Sequence, residues 1–339
     1  MGKIGRAKFT EVMKRILITG ASGCIGHYLV ESLLQNTQHY LYLLVRNPSK
    51  LKFDWQDNPR IKIIKDSLEN IERHSDLLLK EIQVAILVAT SWGGQAESYD
   101  INVVKTLALI NLLNPSLCEQ VFYFSTASVL DRNNNLLLPA SQFGTDYIRT
   151  KYQCFSQLQR TKVSDRIIAL FPTLVFGGDD TKPVSHLSSG LPEIVKWLDL
   201  IRWIRTEGSF HFVHARDIAT VIVHLIENPQ LVKAIDPLDP DEETSPHVKR
   251  LVLGNPAVSV NETITRICQY FNKKVYLGIP LTPWLTNIII RVFRIQMDSW
   301  SYFSLNYRHF TYKDPYTPAS FGLTNYVSTI EDIMKTAGF

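Results

Sequence analysis

Cysteine is scarce in this sequence: Cys24, Cys118, Cys154 and Cys268 are the only four in 339 residues. They lie far apart with no CxxC pair, which argues against a zinc ribbon or a disulfide scaffold and fits a reducing, cytoplasmic setting. The nine histidines form no HExxH and no tight cluster with cysteines or carboxylates, so no metal is expected. An excess of one charge is lacking too. Against 32 acidic residues stand 36 basic ones, a net +4, with no long basic block to follow a phosphate backbone, so nucleic acid is not expected as a partner. Residues 1–12 carry Lys3, Arg6 and Lys8 but no apolar core of signal-peptide length. Secretion is therefore not expected, and this stretch reads as a tail or as an extension from an upstream start ahead of Met13. The most apolar stretch, Trp284 to Ile295, is too short and too interrupted by Arg291 and Arg294 to span a bilayer. It reads first as a core or lid helix, with an interfacial helix making peripheral membrane contact or an apolar substrate wall as alternatives.

What is present is a pattern. With 45% hydrophobic and 20% charged residues the chain is a folded one, and from Lys14 onward short apolar runs alternate with helical periodicity. Arg15 to Thr19, Leu41 to Val45, Ile61 to Ile64, Val84 to Thr90, Val121 to Ser125 and Arg166 to Phe171 read as strands. Ile25, Leu29 and Leu33 mark the first helix, Val103, Leu107 and Ile110 a middle one, and Ile218, Val221, Ile222, Leu225 and Ile226 a later one. Such alternation predicts an α/β fold, a doubly wound parallel sheet covered by helices on both faces. Beyond Phe171 the pattern loosens through Gly177-Gly178-Asp179-Asp180, and a helix is expected near Ile194 to Leu200. Asp236 to His247 is acidic and proline-rich, the composition of a surface loop. Ser259-Val260-Asn261-Glu262 predicts a capping box at the start of a late helix. The division expected is a sheet domain of residues 13–172 and about 211–236, with a smaller, mainly helical substrate domain of about 173–210 and 237–339.

Thr19-Gly20-Ala21-Ser22-Gly23-Cys24-Ile25-Gly26 follows the first strand and opens the first helix. Gly20 permits the tight turn and Gly23 lets backbone N–H groups, with Ser22, Cys24 and Ile25 around them, approach a pyrophosphate. Gly26 allows close packing of helix on strand. The residue after the second strand is Arg46, where an NAD site usually places a carboxylate for the ribose. A guanidinium there suits a 2′-phosphate, hence NADP with NAD as the alternative, and Lys50 would add charge. The alternative is a solvated arginine. Asp66, after the third strand, is placed either to accept from an adenine amino group or to cap a turn.

Tyr147-Ile148-Arg149-Thr150-Lys151 sets a phenol and an ammonium four residues apart, on one face of a helix. Since a phenol titrates near pH 10, acid/base work near neutrality calls for a neighbouring positive charge, which Lys151 would supply.

In order and spacing, TGASGCIG, the strand ending Phe124-Ser125-Thr126-Ala127-Ser128-Val129, and YIRTK resemble the extended short-chain dehydrogenase/reductases, the NAD-dependent epimerase/dehydratase group. The resemblance spans about Lys14 to Ile226 and implies a Rossmann fold. It further implies that Thr126 polarises the substrate oxygen, with Ser125 a weaker candidate, and that Tyr147 is the general acid/base. Lys151 would also hold the nicotinamide ribose. Asn102, Ala89 and Pro172 match cofactor-side positions, and the resemblance implies a homodimer formed through the helices near Asn102 and Tyr147.

The departures are informative. Ala127 and Ser128 stand where 4,6-dehydratases of the family carry Asp-Glu, which argues against dehydration by that route. Phe171 and Phe210 stand where nucleotide-sugar members commonly carry arginines, so both are expected to face the substrate and to signal one without a diphosphate. The matching Asp217 would fix backbone, and His211 and His214 read as structural rather than catalytic. The function these residues predict is NADP-dependent hydride transfer to or from a carbonyl or secondary alcohol of a rather apolar small molecule. A nucleotide-sugar epimerase with retained NAD(P) and a non-catalytic dinucleotide sensor are the alternatives.

Overall fold

The computed structural model describes residues 13–235, 248–276, 278–281 and 297–339. Met1 to Val12, the Asp236 to His247 loop and the Trp284 to Ile295 stretch lie outside them. Strands β1 (Arg15–Thr19), β2 (Tyr40–Val45), β3 (Ile61–Lys65), β4 (Val84–Leu87), β5 (Gln120–Phe124) and β6 (Ile167–Pro172) join a seventh, Lys249–Leu253, in one parallel sheet. Its order is Lys249–Leu253, β6, β5, β4, β1, β2, β3. Every strand pair is parallel. Helices α1 (Cys24–Asn36), α2 (Ser75–Lys80), α3 (Gln95–Tyr99), α4 (Thr106–Leu112), α5 (Leu138–Phe143), α6 (Asp146–Phe155), α7 (His186–Lys196), α8 (Leu198–Ile201) and α9 (Ala215–Glu227) connect or flank these strands.

The continuous apolar runs are buried on both faces, as parallel strands between helices require. Ile16 and Ile18 pack with α1 residues Leu29 and Leu33 and α9 residues Ile218 and Ile222 on one face. Leu17, pointing the other way, packs with Leu109, Ile110 and Cys154 of α4 and α6. The chain moves outward from β1 through β2 to β3, then returns to β4 beside β1 and continues to β5 and β6. That reversal opens a crevice above the carboxyl ends of β1 and β4, the place where open α/β sheets bind ligands.

Three expectations on the smaller part need correction. Lys249–Leu253 was expected in the substrate domain, yet it pairs in register with β6, Lys249 opposite Ile168 through Leu253 opposite Pro172. Its buried Leu251, Val252 and Leu253 complete the large sheet. At Ser259 only half of a capping box forms: Ser259 Oγ accepts from the Glu262 N–H, while the Glu262 carboxylate turns to Arg266. The helix expected near Ile194 already starts at His186. A third core gathers Leu191, Leu198, Phe212, Ile264, Ile267 and Met334 beneath the smaller part. Among the described residues no helix is long and apolar enough to cross a membrane.

Candidate active site

A cleft of about 690 Å³ follows the carboxyl ends of β1, β2, β4, β5 and β6. Thr19, Gly20, Ser22, Gly23, Cys24 and Ile25 line one end of it. Gly20 adopts φ +73°, and a Cβ there would meet the Ala89 backbone nitrogen at 2.7 Å, so strand, turn and β4 meet too closely for any side chain. At Gly26 a Cβ would meet the Gly20 carbonyl oxygen at 2.2 Å. Gly26 therefore acts by helix packing and does not line the cleft. The Gly23 N–H is spent on the Gly20 carbonyl (3.0 Å). Since no side chain caps α1, the following N–H groups of Cys24 and Ile25 are the donors left for an anion at the positive helix end. His27 stiffens this turn. Its Nδ1–H donates to the Gly23 carbonyl (2.9 Å) and its Nε2 accepts from the Lys52 N–H (3.1 Å), a neutral pattern consistent with the lowered pKa that burial imposes.

Arg46 lines the cleft at the end of β2 and is exposed. Lys50, on the turn that follows, does not line it. Asp66 also lines the cleft, but its carboxylate accepts from the Ser67 N–H (2.7 Å), Asn70 (2.8 Å) and His74 (2.9 Å). Those hydrogen bonds, Asn70 first, hold its pKa down to about 2. Of the two roles expected for Asp66, turn-capping is the one the geometry displays. Ala89 lines the cleft too, its N–H donating to Thr19 Oγ1 (3.2 Å).

Asn102 was expected at the cofactor and is instead fully buried behind the cleft. It sits in a π-helical turn, Asp100–Lys105, a geometry often found at functional sites. Its Oδ1 accepts from Thr90 Oγ1 (2.9 Å) and the Ser91 N–H (2.8 Å), while Nδ2 donates to the Ser91 carbonyl and to Thr150 Oγ1 (both 3.0 Å). One amide thus ties the loop after β4 to α6.

That helix carries Tyr147 and Lys151 into the cleft, opposite Ser125 and Thr126 at the end of β5. Thr145 caps α6 and Thr126 caps the 3₁₀ turn after β5. Burial pushes the Tyr147 phenol up to about 12, opposed by a hydrogen bond with Thr126. Burial lowers Lys151 to about 8, only partly offset by Cys154. Lys151 Nζ donates to the Phe124 carbonyl (2.7 Å) and lies 5.9 Å from the Tyr147 ring centroid. Burial thus works on the phenol against the pull toward phenolate that the spacing alone suggested.

The match to the NAD dependent epimerase/dehydratase family covers residues 16–236, the glycine turn, Thr126, Tyr147 and Lys151 included. The chain belongs to this family. A search of curated protein sequences returns no match. The fold resembles that of the Bordetella bronchiseptica enzyme WbmG in complex with NAD and UDP (TM-score 0.62, 16% identity, 96% of this chain and 93% of that one). It also resembles a Thermotoga maritima UDP-glucose 4-epimerase with UDP-glucose (0.58, 15%, 95% and 97%). The terminal R domain of the myxalamid biosynthetic pathway gives 0.65 at 17% identity, over 97% and 90% of the two chains.

Within this family frame the substrate end departs from expectation. Phe171 does not face the cleft: strand alternation turns it under the sheet, fully buried and edge-on to Phe155 (5.0 Å). Phe210 lies in a short strand between Val258–Ser259 and His309–Phe310 and is likewise outside the cleft lining. Pro172 does line the cleft, followed by Thr173, Leu174 and Val175. Asp217 accepts from the Tyr326 and Val327 N–H groups, burial raising its pKa to about 6. His211 donates to the Asn255 carbonyl and accepts from the Tyr312 N–H. His214 Nδ1 caps α9 by accepting from the Arg216 N–H. Burial, with Arg216 adding to it, lowers His214 to about 4. Sequence reasoning missed Trp92, Glu97, Val184, His186 and Leu187, all of which line the cleft. The glycine pair after Trp92 is a turn signal, but nothing in one sequence says that this turn faces Tyr147. Among the described residues no group of three or more histidine, cysteine or carboxylate side chains is arranged to hold a metal.

Proposed function

We propose that this chain is an NADP-dependent oxidoreductase that moves hydride between the nicotinamide and a carbonyl or secondary alcohol of a rather apolar small molecule. The convergence of Thr126, Tyr147 and Lys151 on one cleft, with Arg46 at its nucleotide end, carries the reading. The close-packed glycine turn and the uncapped start of α1 suit a dinucleotide. Cys24 and Ile25 would meet its pyrophosphate, Arg46 a 2′-phosphate, and Pro172 and Ala89 the nicotinamide end. When bound, the nicotinamide supplies or takes up hydride. Thr126 would donate a hydrogen bond to the substrate oxygen and Tyr147 would pass its proton to it in reduction. Lys151, whose ammonium lies beside that ring, would stabilise the phenolate left behind.

Among the described residues, Arg46 and Lys151 are the arginine and lysine side chains lining the cleft, which supports a substrate without a diphosphate. Arg202 and Lys196 pair with Asp199 and Glu193, and Arg205 donates to the Tyr276 carbonyl, so those cations serve the surface of the smaller part. A competing reading, a nucleotide-sugar epimerase with retained NAD(P), has in its favour the UDP and UDP-glucose bound in two similar structures. Two measurements separate them. NADPH consumption over a panel of carbonyl compounds, abolished by Tyr147→Phe, supports the reductase. Tightly held dinucleotide released only on mild unfolding, together with saturable UDP-sugar binding, would replace it with the epimerase. The exposed Tyr99 and Val104 beside Asn102 support the homodimer expected of the family, which sedimentation tests directly.

A further inference from the structure

Trp92 is the largest side chain in the cleft lining and also one of the most exposed aromatics, at 65%. Its indole lies flat on the Tyr147 ring, centroids 3.9 Å apart and planes within 12°. The loop beneath it is fixed. Ser91 N–H donates to Asn102, Ser91 Oγ donates to Glu97 (2.7 Å), Gly93 N–H donates to Ser91 Oγ (3.0 Å) and Ser98 Oγ donates to the Gly93 carbonyl (2.7 Å). An indole held on a pinned loop, with one face on the proton-donating phenol, keeps its second face and edges open. Val184 (54% exposed) and Leu174 (38%) are two further apolar side chains lining the same cleft. The His186 ring lies 6.2 Å from the indole, tilted.

Open apolar surface of this kind beside a reacting group is where a ligand is covered, and an aromatic face prefers another planar group in offset or edge contact. We propose that Trp92 is the specificity-determining wall of this site, receiving the planar part of an aromatic or conjugated carbonyl substrate on its open face while its other face holds the Tyr147 ring in place. The proposal deepens the oxidoreductase reading and rests on it for the identity of the reacting group. Trp92 is thus a positioning residue toward Tyr147 and a contact residue toward the substrate. Glu97 reaches Ser91 and so fixes the loop from the side of α3.

The test compares two ketones of equal carbon count, planar acetophenone and puckered cyclohexyl methyl ketone, titrated calorimetrically onto protein loaded with NADP⁺, so that no turnover occurs. The wild type should bind acetophenone about three- to tenfold more tightly, the range of an aromatic pair contact. Trp92→Phe should keep that preference, and Trp92→Ala should abolish it with NADP⁺ affinity unchanged. Trp92→Leu, which retains apolar bulk, should bind the two ketones equally and guards against a misfolded alanine variant. Equal affinity in the wild type, no binding of either ketone, or a preference that survives Trp92→Leu overturns the proposal. Failure of the oxidoreductase reading shows elsewhere, as NADPH consumption that never depends on Tyr147, since the ketone titration needs no chemistry.

Discussion

The two ends of the cleft are built from different materials. The nucleotide end is backbone: Gly20 against Ala89, Gly26 against Gly20, and the uncapped N–H groups at the start of α1. The end proposed for the substrate is side chains from segments far apart in sequence, Trp92 after β4, Tyr147 on α6, and Val184 to Leu187 at the start of α7. A backbone cradle accepts only glycine at set spacings, which makes it narrow in ligand and readable in sequence. A wall of side chains can be refitted residue by residue, so one cradle serves many substrates.

The largest effect expected falls on the substrate side. Tyr147→Phe should lower NADPH-dependent turnover by about two to four orders of magnitude, the usual range for a positioned proton donor. The dinucleotide Kd should stay within about twofold. Rapid-mixing kinetics with a calorimetric titration reads both, and a variant that kept its turnover would move the acid/base off α6. On the nucleotide side the corresponding break is Gly20→Ala, which combines a positive φ with a backbone collision at 2.7 Å. It should destabilise the fold by about 2 to 4 kcal/mol, measured by urea unfolding, and weaken dinucleotide binding as well. A silent Gly20→Ala would mean that the turn relaxes more readily than its contacts imply.

Lys151 sits between the two ends and sharpens the comparison through pH. Lys151 is 3% exposed, and burial lowers its ammonium to about 8, against 10.5 when free. Between those values the unfolded chain binds the extra proton and the folded chain does not, so this group makes stability rise with pH from about 8 to 10.5. Below 8 the buried cation is a standing cost. Lys151→Met should therefore stabilise the dinucleotide-free protein at pH 7 by roughly 1 to 3 kcal/mol while depressing turnover. Chemical denaturation at a series of pH values checks both the gain and the flattened slope. Wild-type turnover should fall as pH rises through about 8, where the cation beside the phenol is lost.

Much of this was legible in the sequence, and the reasons divide along the same line. Strands β1, β2, β4, β5 and β6 announced themselves because both faces are buried and each is a near-continuous apolar run, and the half-buried edge strand β3 by Ile61, Ile63 and Ile64. The last sheet strand, Lys249–Leu253, did not, because its partner β6 lies about eighty residues earlier and a single short apolar run carries no sign of which sheet it joins. Phe171 was assigned to the substrate by position, but the two-residue alternation of β6 decides which face a side chain takes, and it sends Phe171 under the sheet. Asn102, assigned to the cofactor, lies buried behind the cleft lining. A buried amide that satisfies four partners looks, in sequence, the same as one that touches a ligand. Trp92 was missed because its meaning depends on a tertiary contact with Tyr147.

The smallest effect expected is also the one that separates cofactors. Arg46 is exposed at the end of β2, where the cleft begins, and among the described residues no carboxylate lines that end beyond Asp66, which is already occupied by Ser67, Asn70 and His74. An exposed guanidinium facing a 2′-phosphate works in high dielectric, so its share is modest: NADPH should bind about tenfold more tightly than NADH, and less so at high salt. Arg46→Asp should reverse the order, because a carboxylate accepts from the ribose hydroxyl of NADH and repels the phosphate of NADPH. Calorimetric titration of both dinucleotides at low and high ionic strength decides it. If NADH bound the wild type as tightly as NADPH, Arg46 would be only a solvated strand end. If the preference held in Arg46→Asp, the 2′-phosphate would be held by other residues.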